Sequence, residues 1–326
     1  MAVLTMVEAI RQALTAEMER DERLILLGED IGRLGGVFRA TDGLQERFGA
    51  DRVVDTPLAE AAIIGTSVGL AMSGLVPIPE IQFLGFTQQA FHQIAGQMAR
   101  LRFRSQGRYP MPITMRAPFG GGVRTPELHS DALEALFVQT PGLKIVMPAT
   151  AYDAKGLLLE AIRDPDPVIF CEPLRGYRLV KDEVPDEDYT VPFGKARTIG
   201  DGTDVTLVAW SAAVQLCERA VVLAQAQGIS CRIVDLRTLV PLDVEALVEA
   251  AEATGRVVVV HEAPLTAGFG AEVVATIQSE AFYSLEAPIE RVAAPDTPYP
   301  LAGIEEFYLP NEARVLSAIQ RLMSNA

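Results

Sequence analysis

The sequence predicts an α/β protein of two domains, each built on a mostly parallel sheet. Short apolar runs alternate with segments of helical period along the whole chain. Near the middle an acidic stretch with neither period, Lys181 to Asp188, interrupts that alternation, and Pro185 lies within it. At 326 residues there is room for two domains of ordinary size and a large core. Hydrophobic residues make up 49% of the chain, which is rich and hints at extensive interfaces. The division this implies is 1–180 for the first domain, 181–200 for the linker and 201–326 for the second domain.

Taken in order, Thr5 to Arg20 reads as an amphipathic helix with Thr5 as cap and Glu8 completing a capping box. Leu24 to Gly28 is a buried strand, Gly35-Gly36 breaks the chain, and a short helix is expected around Thr41–Phe48. Arg52-Val53-Val54 is a short apolar run. It leads to Asp55-Thr56-Pro57-Leu58-Ala59-Glu60 and then to a segment without charge from Ala61 to Pro79. Gly65, Gly69, Gly74, Pro77 and Pro79 make that segment a core helix followed by a strand (Val76 to Phe83), not a membrane span. A long helix is expected from about Thr87 to Arg104. Strands follow at Ile113–Arg116, Lys144–Met147 and Val168–Cys171, with a helix from about Tyr152 to Arg163. The second domain offers strands at Val205–Ala209, Cys231–Asp235, Arg256–Val260 and Ile289–Val292. Helices there are expected at about Ala213–Gln227, Asp243–Ala253, Gly270–Ala281 and from Asn311.

The formal charge of −15 supplies no basic stripe for nucleic acid and disfavours anionic membranes. The first eight residues lack the basic head and apolar core of a signal peptide. Cys171, Cys217 and Cys231 have no metal-like spacing and read as buried thiols, so the chain is expected in the cytoplasm.

Glu60 stands out. Thr56 suits a helix N-cap and Pro57 the first helical position, which puts Glu60 in or near the first turn of an uncharged helix. Two readings fit it: a carboxylate serving the helix macrodipole, or a desolvated group whose pKa rises until it shares a proton with a ligand nitrogen. Among three histidines, His92 falls mid-helix and reads as packing or surface. His261 ends a strand, facing a cleft or capping the sheet. His129 follows the long loop after the strand ending at Arg116, where ligands bind in open α/β sheets, and is a candidate for proton transfer. Two motifs fail. Gly268-Phe269-Gly270 opens like a dinucleotide fingerprint, but Val273 stands at the third glycine, which counts against a nicotinamide dehydrogenase. Gly200-Asp201-Gly202 opens like the thiamine-diphosphate and Mg²⁺ motif. Its downstream asparagine is missing, because the only asparagines are Asn311 and Asn325.

Gly28 to Gly32, Gly35 to Phe38, Asp55 to Glu60, Glu80 to Phe83, Gly120 to Val123 with His129, and Pro141 to Lys144 stand in order along the chain. Tyr152 to Leu158, Asp235 to Thr238 and Asp296 to Pro300 continue the series. Together they resemble the β subunit of the E1 component of 2-oxo acid dehydrogenase complexes. Gln82 to Phe86 and Thr125 to His129 are most similar to the bacterial pyruvate-type members; branched-chain relatives tend to carry Tyr where Phe86 stands.

The resemblance implies an α2β2 thiamine-diphosphate enzyme, active only with its α subunit, which holds the diphosphate and Mg²⁺. This chain would supply a doubly wound, pyrimidine-binding sheet domain and a transketolase C-terminal-like α/β domain. The same resemblance implies that Glu60 bonds the pyrimidine N1′, that Phe86 stacks on that ring with Leu58 beside it, and that Gln82 lines the pocket. His129 would lie near the substrate and lipoyl entrance. The reaction it implies is 2-oxo acid decarboxylation with reductive acylation of the lipoyl group of the partner acyltransferase, E2. A structural K⁺ is implied at Ile113, Ala161, Ile162, Asp164 and Asp166, with Asp166 where some relatives have Asn. A branched-chain or acetoin enzyme is the alternative within the family, and a noncatalytic subunit that docks E2 is the alternative outside catalysis.

Overall fold

The structure, a computed structural model, describes residues 2–324. The first half contributes β1 (Ala2–Thr5), β2 (Leu24–Gly28), β3 (Val53–Asp55), β4 (Val76–Glu80), β5 (Thr114–Phe119), β6 (Lys144–Val146) and β7 (Val168–Pro173). The second half contributes β8 (Lys181–Val184), β9 (Arg197–Ile199), β10 (Val205–Ala209), β11 (Cys231–Asp235), β12 (Thr238–Val240), β13 (Val257–Pro264) and β14 (Glu290–Ala294). One seven-stranded sheet has the order β12-β6-β7-β5-β4-β2-β3, and a five-stranded sheet has the order β14-β13-β10-β11-β9. Within these two sheets pairing is parallel except at the edge strands β12 and β9.

From β2 the chain steps outward to β3 and then back to the other side at β4. That reversal opens a crevice beyond the carboxyl ends of β2 and β4, where doubly wound sheets bind ligands. The crossover from β3 to β4 is the helix Glu60–Met72, which places Glu60 at the crevice.

One face of the larger sheet is covered by the helices Met6–Arg20 and Ala151–Arg163, with Met6, Ile10, Leu14, Leu157 and Leu158 in the core between. The first of these has the expected capping box: the Thr5 hydroxyl accepts from the Glu8 amide, and the Glu8 carboxylate accepts from Thr5. The other face shares a core with the second domain, in which Ile63, Ile94 and Met115 join Val208, Trp210 and Leu236.

Three expectations need correction, and one strand has no counterpart among them. Thr56 and Pro57 do not start a helix: the Thr56 amide donates to the Gly28 carbonyl at 2.9 Å, so the chain stays extended beside β2. The residue before a proline is biased that way, and the helix begins at Glu60 behind Ala59, which offers no side-chain cap. The long helix expected at Thr87–Arg104 is a 3₁₀ segment (Leu84–Ala90), a π segment (His92–Met98) and one α turn (Leu101–Arg104). The acidic stretch is not without strand structure, because β8 pairs antiparallel with β1. Finally, Thr238–Val240 leaves its own domain to become an edge strand of the larger sheet on β6.

Candidate active site

Asp55, at the end of β3, fixes one wall of the crevice. Its carboxylate accepts from the Gly32 amide at 2.6 Å and from the Arg33 amide at 3.3 Å, which ties down the loop after β2. A side chain at Gly32 would fall 2.5 Å from that carboxylate and would have to push it, or the Gln45 amide, aside. Burial pushes the Glu29 carboxyl above its usual range, and the Asp30 and Glu60 charges push it further. Glu60 itself is 4% exposed, and its Oε2 is buried without a hydrogen-bond partner. An orphaned carboxylate oxygen at a ligand crevice is costly unless a donor arrives from outside the chain.

The second wall is aromatic. Phe83, Phe86 and His129 meet as a triad, with centroids 5.5 Å apart for the phenylalanines and 4.5 and 4.9 Å from each to the imidazole. Phe38 closes on Phe83 at 5.6 Å. His129 is held here because Gly85 has no side chain: a Cβ there would lie 1.9 Å from the Leu128 carbonyl oxygen. The His129 Nδ1 sits 3.1 Å from the Glu127 carbonyl, which can only accept, so Nδ1 carries the proton and Nε2 is left with the free lone pair in the neutral ring. Gln82 reaches the Asp30 carboxylate at 3.5 Å. Leu58 projects outward from the loop before the Glu60 helix, 68% exposed.

Beneath the crevice runs a charge network that the sequence reading did not single out. Arg116, 1% exposed, bonds Glu80 at 2.7 Å and clasps Glu172 with two bonds of 2.7 and 2.9 Å. The Tyr177 hydroxyl also donates to Glu172. Burial would push the guanidinium down, but the Glu172 and Glu80 carboxylates hold it above its ordinary value. These groups tie the end of β4 and the end of β7 to Arg116 in the middle of β5, and β4 and β5 lead into the aromatic wall and the His129 loop. The available signal was a charge at the end of each of three apolar runs.

The residues expected around K⁺ gather at the opposite, amino-terminal ends of β5 and β7. The Ile113 carbonyl accepts from the Val168 amide at 2.9 Å, and the Ala161 carbonyl from the Asp164 amide at 3.3 Å. Ile162 is buried beside Ala161 in the last turn of its helix. The carboxylates are already engaged: Asp164 with Lys144 at 2.5 Å, and Asp166 with Arg102.

Of the remaining histidines, His92 lies exposed on the π segment, while His261 is fully buried and stacked on Trp210 at 5.2 Å. That settles Gly268 and Gly270, the failed fingerprint: side chains there would come within 2.8 and 2.5 Å of the His261 ring. Gly200-Asp201-Gly202 is a turn between β9 and β10, and Gly202 is pressed against the Cys231 backbone. All three cysteines are free and buried. Among the described residues no helix is long and apolar enough to cross a membrane.

Comparison with known proteins agrees with this geometry. The transketolase pyrimidine-binding domain matches residues 2–179 and the transketolase C-terminal domain residues 194–315. Over 323 residues the chain is 50% identical to the pyruvate dehydrogenase E1 component subunit beta of Bacillus subtilis (strain 168), with 99% of each covered. The same subunit from Staphylococcus epidermidis (strain ATCC 12228) is 51% identical, and that from Staphylococcus aureus (strain N315) 50%, with 97% of each chain covered. A solved structure titled "Split gene transketolase, inactive beta4 tetramer" superposes with a TM-score of 0.81 over 99% of both chains. Its identity is 23%, so it speaks to fold alone. The chain therefore belongs to the family of pyruvate dehydrogenase E1 component β subunits, built from a transketolase pyrimidine-binding domain followed by a transketolase C-terminal domain.

Proposed function

We propose that this chain is the β half of a pyruvate-decarboxylating E1 that uses thiamine diphosphate and works only with an α subunit. The observation that carries the reading is the orphaned Oε2 of Glu60, buried at the head of its helix. The residues fit the pyrimidine end of the cofactor, which offers a donor nitrogen for that oxygen and a flat ring for an aromatic wall. When bound, thiamine diphosphate supplies the carbon nucleophile that a 2-oxo acid needs in order to lose CO₂.

In this reading Glu60 holds and moves the proton at the pyrimidine N1′, helped by a water-poor setting. Phe86 offers the ring its face, Leu58 covers it when the partner closes the site, and Gln82 lines the pocket. His129, with Nε2 free, takes up or gives a proton to substrate at the lipoyl entrance. The α subunit would hold the diphosphate and Mg²⁺, in keeping with Gly200-Asp201-Gly202 being spent on a turn.

A K⁺ near Ile113, Ala161, Ile162, Asp164 and Asp166 would rest on main-chain carbonyls, whose second lone pairs are free while Lys144 and Arg102 occupy the carboxylates. An E2 acyltransferase with a basic docking domain suits the charge of −15. Three buried free thiols suit the cytoplasm. We divide the chain at 1–180 and 201–326, with 181–200 connecting the halves.

The test is ferricyanide-coupled decarboxylation by the chain alone, by the reconstituted αβ pair, and by the pair carrying Glu60→Gln. Turnover is expected only in the pair, on pyruvate well above 2-oxoisovalerate, and reduced at least ~100-fold by the substitution with assembly intact. Near-normal activity of Glu60→Gln would remove Glu60 from the mechanism. Preference for 2-oxoisovalerate would make this a branched-chain enzyme.

A further inference from the structure

The loop 120–130 carries His129, yet little in its own sequence fixes its shape. It opens with three glycines, two of them left-handed (Gly120, φ +86°; Gly122, φ +87°). Arg124 and Leu128 are left-handed as well, at φ +58° and +66°. A chain so twisted holds one conformation only when its surroundings impose it. At its far end the loop is seated by the bare backbone of Gly85 under Leu128 and by the Thr125–Ser130 hydroxyl pair.

At its near end two carboxylates of the other domain grip it. Glu262, in β13, accepts from the Gly121 amide. Glu305, 4% exposed, accepts through its Oε1 from the Gly122 amide at 2.9 Å, the Arg124 amide at 3.3 Å and the Tyr299 hydroxyl at 2.5 Å. Three amides of a glycine-rich turn thus point at two acids, whose side-chain oxygens are their acceptors. Tyr299 also presses on the turn, since a side chain at Gly121 would lie 1.9 Å from its hydroxyl.

We propose that Glu262 and Glu305 are positioning residues of the C-terminal domain that hold the His129 loop of the N-terminal domain in its working conformation. Neither acid touches the reacting atoms; each acts through the loop. The proposal rests on the reading of His129 as a participant at the substrate, and it extends that reading to the second domain. Anything that displaces Glu305 or Tyr299 would then be felt at His129.

The test uses the reconstituted αβ enzyme with Glu305→Ala, Glu305→Gln and Glu262→Ala, and His129→Ala for comparison. Amide exchange at Gly121, Gly122 and Arg124 is expected to speed up about tenfold or more in Glu305→Ala, without change in the helix Ala151–Arg163. kcat for acetyl transfer to lipoyl should fall about tenfold with KM for pyruvate little changed. Glu305→Gln should restore both, because the amide oxygen accepts the same donors. Should Glu305→Ala fail to assemble, Glu262→Ala, which leaves the Glu305 grip in place, should show the same changes on a smaller scale. Unchanged exchange in the alanine variants, or no rescue by glutamine, would overturn the proposal. So would a loosened loop with full turnover while His129→Ala is impaired. If His129→Ala is itself fully active, the reading of His129 has failed, and the exchange data alone decide whether the acids hold the loop.

Discussion

Arg116 shows how much can depend on one side chain. It is 1% exposed and pairs with two carboxylates that are themselves buried, Glu80 at 5% and Glu172 at 0%. Replacing it with Met keeps most of its volume but strands both acids. Burial already pushes Glu80 above its usual range even with the arginine beside it. Breaking such a group by removing one partner costs about 3–5 kcal/mol. Arg116→Met is therefore expected to lower the urea unfolding free energy by that amount at neutral pH. Glu172→Gln should cost less, since it removes a charge and keeps an acceptor for the guanidinium and for Tyr177. A loss below ~1 kcal/mol for Arg116→Met would mean that water reaches the network and that it does not tie β4 and β7 to β5.

Elements were legible where their pattern is local. The capping box at Thr5 and Glu8, the strand Val205–Ala209 and the strand Cys231–Asp235 follow from the order of residues along the chain. Thr87 to Arg104 has helical content, but the phase of its helix is set from outside. Gly85 must lie against Leu128, some forty residues later in the chain, and a 3₁₀ turn and a π segment take up the difference. β12 was missed for a related reason: three residues gain strand structure only by meeting β6 of the other domain. Among the residues proposed for the site, Glu60 and His129 can be singled out from their positions in the chain. Phe83, which joins Phe38, Phe86 and His129, could not, because one apolar residue in an apolar run carries no sign of its neighbours. Two glycines test the point. Gly85→Ala must push the Leu128 backbone aside, so a loss of about 1–3 kcal/mol and of most turnover is expected, read by thermal unfolding and by the ferricyanide assay. Gly69→Ala, mid-helix with nothing within 4 Å of the new methyl group, should stabilise by about 0.4–1 kcal/mol and leave turnover alone. Equal effects at the two sites would show that the contact at Gly85 does not set the segment.

At the scale of the molecule, the two domains interlock beyond a shared boundary. β12 crosses into the larger sheet, Arg237 bonds Asp153 at 2.8 Å, and Trp210 donates to Glu134 at 3.3 Å. Unfolding should therefore be a single transition, and its pH dependence should report the buried titratable groups of the whole chain. His261 is the clearest of these. It is stacked on Trp210, neither ring nitrogen has a partner, and burial, aided by the nearby Arg291 charge, pushes its pKa down to about 4. The folded value lies below the ordinary value of about 6.5, so folding favours the neutral ring. Its contribution is complete above that ordinary value and is lost as pH falls toward 4, a swing of about 3 kcal/mol. Glu262 and Asp235, each pushed up to about 7 by burial, act in the opposite sense over the same range, so the total stability of the chain would hide the effect. The difference between His261→Phe and the unsubstituted chain isolates it. Phenylalanine keeps the stacking on Trp210 and cannot take a proton. Its unfolding free energy relative to the unsubstituted chain should therefore improve by about 2–3 kcal/mol between pH ~7 and pH ~4, whatever fixed packing cost it carries against Gly268 and Gly270. A flat difference across that range would mean that His261 is protonated as easily in the folded chain as in the unfolded one, and that the stack on Trp210 admits water.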